Sequence, residues 1–119
     1  MNRVVITGMG VIAPNGNGLD AFVANTLAGK VGIKKISKFD AHDTGITVAG
    51  EIDDFDPRAM VGKKAARRMD LYSQYAVQTA AEAVEMAGIN ADNTNPEEMG
   101  VIYGSGIGGL TTIQELSLI

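Results

Sequence analysis

Three groups of residues in this 119-residue chain could do chemistry, and each would need a different partner. The first is glycine-rich. Gly104-Ser105-Gly106-Ile107-Gly108-Gly109 has the G-x-G-x-x-G spacing, and Gly8-Met9-Gly10-Val11-Ile12-Ala13 has its G-x-G-x-x-A form. Backbone amides in such turns can cradle a pyrophosphate, so a nucleotide-binding α/β module is one reading. Against it, the earlier match runs into Pro14, and the sequence ends before the position ~20 residues beyond the later one where an acid would hold a ribose. A structural glycine turn suits both better. The second group is cationic: Arg58, Lys63, Lys64, Arg67 and Arg68 put half of the ten basic residues in one short window. On a helix over 57–69, Lys63 pairs with Arg67 and Lys64 with Arg68 at i,i+4, at a mild repulsive cost. A solvated helix face and a landing site for an acidic or phosphorylated partner are both open. The third group is acidic, with His42 between Asp40 and Asp43, and with Asp53, Asp54 and Asp56 clustered. One imidazole completes no catalytic or zinc set, and the acids lack the Gly and Glu of a calcium loop. A surface histidine and a solvated acidic turn are expected, with no metal and no cofactor.

Two further candidates fall away. Ser105 is no nucleophile elbow, because Tyr103 and Ile107 stand where G-x-S-x-G needs glycine. The sequence holds no cysteine, so it offers no thiolate nucleophile, disulfide or thiolate metal site.

The elements that would position these groups follow from hydrophobic patterning. Residues 3–13 are rich in Val and Ile and read as a buried strand rather than a leader peptide, ending at Gly8-Met9-Gly10 or a little beyond, with a turn over 14–18. Leu19 to Ala28 reads as a helix with Leu19, Phe22, Val23 and Leu27 on its inner face and Gly29 as its stop. Residues 30–56 look irregular, apart from an edge strand at Ile46 to Ile52. Asp56-Pro57 is a helix start. Asp70 should cap a long helix to Ala87, closed by Gly88, with Ser73, Val77, Ala80, Val84 and Ala87 packed inward. After a polar loop at 90–98, Gly100 to Gly104 reads as a second buried strand, and a helix begins at Leu110. Strands alternating with helices predict a largely parallel α/β sheet in at most one domain.

Composition bounds the partners. The net charge is −4, yet every Lys and Arg lies at or before Arg68, and half of the fourteen acids lie after it. Such asymmetry suits docking of an anionic partner. An acidic chain whose cations are not interleaved with aromatics argues against nucleic acid. No apolar run approaches the ~20 residues of a membrane span, so a cytoplasmic setting is expected.

In series, Val5-Ile6-Thr7-Gly8-Met9-Gly10-Val11-Ile12-Ala13-Pro14-Asn15-Gly16, Lys38-Phe39-Asp40, Ala49-Gly50, Arg67-Arg68-Met69-Asp70 and Gly104-Ser105-Gly106-Ile107-Gly108-Gly109 resemble the N-terminal segment of a beta-ketoacyl-acyl-carrier-protein synthase. The synthase II form is the nearest subtype. The motifs occur in order and span essentially the whole chain, so residues 1–119 are expected to be part of that enzyme's N-terminal domain, truncated at Leu116-Ser117-Leu118-Ile119.

The resemblance implies a thiolase-like fold, a five-layer α/β/α/β/α stack in the full family, assembled as a homodimer. It implies decarboxylative Claisen condensation in fatty acid biosynthesis. A Cys thiolate takes the acyl group from carrier protein, and two His assist loss of CO2 from malonyl-carrier protein. The resulting carbanion equivalent then attacks the thioester. None of these three residues matches a position here, so the chain alone is expected to be inactive. By position, the resemblance assigns Lys64, Arg67 and Arg68, with Lys63 beside them, to docking of acyl carrier protein, and Ile107 to the acyl pocket. The alternative is a carrier-protein-binding module without catalysis. Ordinary core packing at a dimer contact competes for Ile107.

Overall fold

The computed structural model describes residues 3–56 and 58–118. The helix-start role expected of Pro57, the leader-peptide question at Met1 and Asn2, and the terminal Ile119 lie outside the described residues. The chain gathers into two compact units, Gly10–Phe55 and Met1–Met9 with Asp56–Ile119. The structure is of the mixed α/β class.

In the unit of residues 10–55, Pro14 and Asn15 form the two-residue connection of a hairpin between β1 (Ile12–Ala13) and β2 (Gly16–Asn17). The Gly18 amide extends it by donating to the Val11 carbonyl at 2.9 Å. α1 (Leu19–Leu27) closes as its sequence predicts. Gly29 takes φ 68° and donates to the Thr26 carbonyl at 3.0 Å, and the Lys30 amide reaches the Asn25 carbonyl at 2.8 Å. These paired bonds are the usual closure around a left-handed residue. On its expected inner face Leu19 and Phe22 are half-buried, whereas Val23 and Leu27 are exposed. β3 (Ile33–Lys35), in a stretch that looked irregular, pairs antiparallel with β4 (Val48–Gly50), which lies inside the expected edge strand. Just beyond β4, Glu51 is buried. Its carboxylate accepts from the Ser37 hydroxyl at 2.7 Å, the Ser37 amide at 3.0 Å and the Lys38 amide at 3.2 Å.

The other unit is helical. α2 (Arg58–Ala66) begins where Asp56 accepts from the Arg58 amide at 2.9 Å, as a capping acid should. It is not the continuous helix expected over 57–69. Gly62, at φ 74° and ψ 162°, interrupts it, so residues 63–68 form a separate turn and a half. α3 (Leu71–Ala87) closes at Gly88 with bonds to the Glu85 and Val84 carbonyls. The residue it buries is Gln74, and not the predicted stripe: Val77, Ala80 and Val84 are exposed. Gly8 lies against this helix, with the Ala83 carbonyl occupying the space a Cβ would need. After a 3-10 turn at Pro96–Glu98 within the polar loop, α4 (Leu110–Ser117) completes the unit.

The two predicted buried strands are not formed. Residues 3–9 and 100–104 belong to no strand, and Val4 and Ile102 are 94% and 100% exposed. The described sheets are two antiparallel pairs and no parallel sheet. The physical reason lies in the residues themselves. Segments apolar on both faces need strands beside them and helices above and below; α3 reaches Gly8, but no described strand pairs with either segment.

Candidate functional site

The cationic segment sits on the turn and a half after Gly62. Lys63 and Arg67 line one open depression together with Arg58 and Ala66. Arg58 is already engaged: its Nε and Nη2 donate to the Asp56 carboxylate at 2.8 and 3.0 Å. That contact holds Asp56 below the usual carboxylate range and raises Arg58. Lys63, Lys64, Arg67 and Arg68 are exposed and form no ion pair among the described residues. Four cations without internal partners can bind an external anion without first breaking a bond.

The end of this segment is secured from α3. The Gln74 side-chain amide donates to the Ala66 carbonyl at 2.9 Å and to the Met69 carbonyl at 2.7 Å. Sequence reading missed Gln74, although an amide side chain one turn into a helix can serve the orphan carbonyls of the preceding helical turn.

The glycine-rich turn is the second feature. The Ser105 hydroxyl accepts from the Gly108 amide at 2.9 Å, which bends residues 105–108 ahead of α4. Ile107 projects from this bend and is 72% exposed, so no acyl pocket encloses it among the described residues. Asp70, expected to cap α3, makes no side-chain cap there. Its carboxylate instead accepts from the Thr112 hydroxyl in the first turn of α4 and fills the space beside Gly109 where a Cβ would stand. An internal carboxylate at that helix start favours the dipole and repels a phosphate, which counts against the nucleotide reading. The earlier glycine match leads into the β1–β2 hairpin and reaches no helix N-terminus until Leu19.

The remaining candidates have local partners. His42 is exposed, with Nδ1 2.9 Å from Asp43. Asp53 pairs with Lys34. A polar cavity of about 370 Å³ in the unit of residues 10–55 is lined by residues including Asn15, Asn17, Asn25, Lys30, Asp53 and Asp54, so two acids of the sequence cluster lie on its wall. No helix among the described residues is long and apolar enough to cross a membrane.

The model of the beta-ketoacyl synthase N-terminal domain matches residues 1–118. A "3-oxoacyl-[acyl-carrier-protein] synthase 2" from Coxiella burnetii is 42% identical over 113 residues, 95% of this chain and 27% of that protein. Its namesake from Staphylococcus aureus is 42% identical over 112 residues, 94% of this chain and 27% of its own length. The Synechocystis protein of that name is 38% identical over 117 residues, 98% of this chain and 28% of its own. The chain therefore spans about a quarter of the length of these relatives. A solved structure described as "The ishigamide ketosynthase/chain length factor" matches with a TM-score of 0.67 at 36% identity, over 75% of this chain and 22% of the other. That likeness supports the thiolase-like fold class.

Proposed function

This chain belongs to the beta-ketoacyl synthase family, and we propose that its share of that family's work is to receive acyl carrier protein and to wall an acyl chain. The reaction is the decarboxylative condensation of acyl-carrier protein with malonyl-carrier protein, as a 3-oxoacyl-[acyl-carrier-protein] synthase of fatty acid biosynthesis carries it out. A thioester bond to the carrier's phosphopantetheine breaks as a thiolate takes the acyl group. Malonyl-carrier protein then loses CO2, and its carbanion equivalent displaces that thiolate. The homodimer expected from the resemblance belongs to the same proposal. This sequence has no cysteine and one exposed histidine, so the 119 residues by themselves should bind without turning over.

The observation that carries the reading is the set of exposed cations at Lys63, Lys64, Arg67 and Arg68, free of ion pairs among the described residues. Their charge suits an acidic carrier and supplies orientation and on-rate more than affinity. Ile107 would contribute apolar wall to the acyl chain, where each methylene buried is worth about 0.8 kcal/mol. Titrating labelled acyl carrier protein against the chain tests this. Arg67→Glu should weaken binding about tenfold or more, since like charges oppose each other across an interface. Raising ionic strength toward about 1 M, where the screening length falls to about 3 Å, should do the same. Binding indifferent to both would reject the docking site. The exposed cations also suit a second reading, a carrier-binding module without catalysis. Condensation by the purified chain would exclude that reading.

A further inference from the structure

We infer that Asp70 is a positioning residue that ties the glycine-rich turn bearing Ile107 to the cationic segment 63–68, so that occupation of the segment is felt at the turn. The inference rests on the docking and acyl-wall roles proposed above. It starts from a carboxylate that does not do the local work its position suggests. An acid just before a helix ordinarily accepts from that helix's own first amides. Here only the Asp70 carbonyl serves α3, accepting from the Gln74 amide at 3.1 Å. The side chain crosses 42 positions to Thr112.

One hydrogen bond and two close approaches join residues 70–72 to residues 108–112. The carboxylate holds the Thr112 hydroxyl. The same carboxylate occupies the space beside Gly109, so any side chain at 109 would displace it. The Tyr72 ring lies 3.9 Å from where a Cβ on Gly108 would be. The α4 side is held by the Ile113 amide on the Gly109 carbonyl at 3.0 Å and the Leu110 amide on the Gly108 carbonyl at 3.2 Å. Toward the cations, Gln74 grips Ala66 and Met69, as described, one turn after Asp70. The cationic segment thus ends directly on the residue that sets the turn. A displacement of residues 63–69 reaches Gly108 and Gly109 through Asp70, and Ile107 is the next residue.

Amide hydrogen exchange and NMR on the isotopically labelled 119-residue chain test this, with holo-acyl-carrier protein as the probe. Without the probe, Asp70→Ala should cost the Ile113 amide about tenfold in protection, as expected for loss of a hydrogen bond to a charged group. Thr112→Val should reproduce that loss, and the double variant should be no worse than either single one. Asp70→Asn, which keeps an acceptor oxygen, should retain most of it. With the probe, wild-type resonances should shift at residues 63–68 and also at 107–113, and in Asp70→Ala only the first group should move. Protection at Ile113 unchanged by both Asp70→Ala and Thr112→Val overturns the inference, as does a 107–113 response that persists without the Asp70 side chain. If the probe moves no residue in wild type, the docking reading and its transmission fail together. The Ile113 exchange then still decides whether Asp70 sets the turn.

Discussion

The unit of residues 10–55 satisfies its extended backbone over short distances, whereas the unit built on α3 leaves its most apolar extended segments without neighbours. β1 and β2 meet across two residues, and Glu51 fixes residues 37 and 38 beside the β3–β4 pair. Residues 4–7 and 101–103 are as rich in Val, Ile and Tyr as any strand, yet they pair with nothing among the described residues. β propensity is a fitness for a pleated, covered surface, and it produces no ladder by itself. What separates the two regions is whether a described segment offers a partner edge.

The contrast can be tested by substitution, and the largest effect should come at Gly8. Gly8→Val drives a side chain into the Ala83 carbonyl, with the Ala87 amide nitrogen 3.0 Å from the new Cβ. It should cost about 3 kcal/mol, the upper end of the usual overpacking penalty. The loss should appear as faster amide exchange in α3, while residues 10–55 keep their protection. An equal loss in both units would break the contrast. Gln74→Leu comes next. It leaves the Ala66 and Met69 carbonyls without their donor and should destabilise the α2–α3 connection by about 1–3 kcal/mol, read as a lower urea midpoint for that unit.

The smallest effect sharpens the other side. The Ser37 hydroxyl, then the Ser37 and Lys38 amides, hold Glu51 below its ordinary value near 4.5. A depressed carboxylate stabilises the fold above its unfolded pKa and loses that contribution as pH falls through the folded value. Protection of the Ser37 and Lys38 amides should therefore decline below about pH 4.5 in wild type. In Glu51→Gln it should be lower at neutral pH and insensitive to acid. A wild-type profile flat to low pH would remove Glu51 as the staple.

The same division explains what the sequence alone disclosed. α1 and α3 were legible almost to the residue, because their signals are local: apolar spacing, and Gly29 and Gly88 at left-handed closures. A turn beginning at Pro14 and the helix at Leu110 were legible for the same reason, although Gly16–Asn17, read as part of that turn, is a strand. β3 was not, since Ile33–Lys35 becomes a strand only through Val48–Gly50. Asp70 looked like a cap because nothing nearby announces Thr112, and Gln74 drew no reading because its partners, the carbonyls of Ala66 and Met69, are set by the fold. At the candidate site the charges were readable as composition. The break at Gly62 that regroups them was not, although glycine within a run of cations was a hint.

Gln74 has one more consequence. Carbonyl oxygens left over where a helix stops carry partial negative charge, and neighbouring arginines commonly fold back onto them. A neutral amide already occupies two such oxygens here, so the guanidinium groups of Arg67 and Arg68 have less reason to turn inward. A side chain with no charge of its own thereby keeps two positive ones available to the solvent.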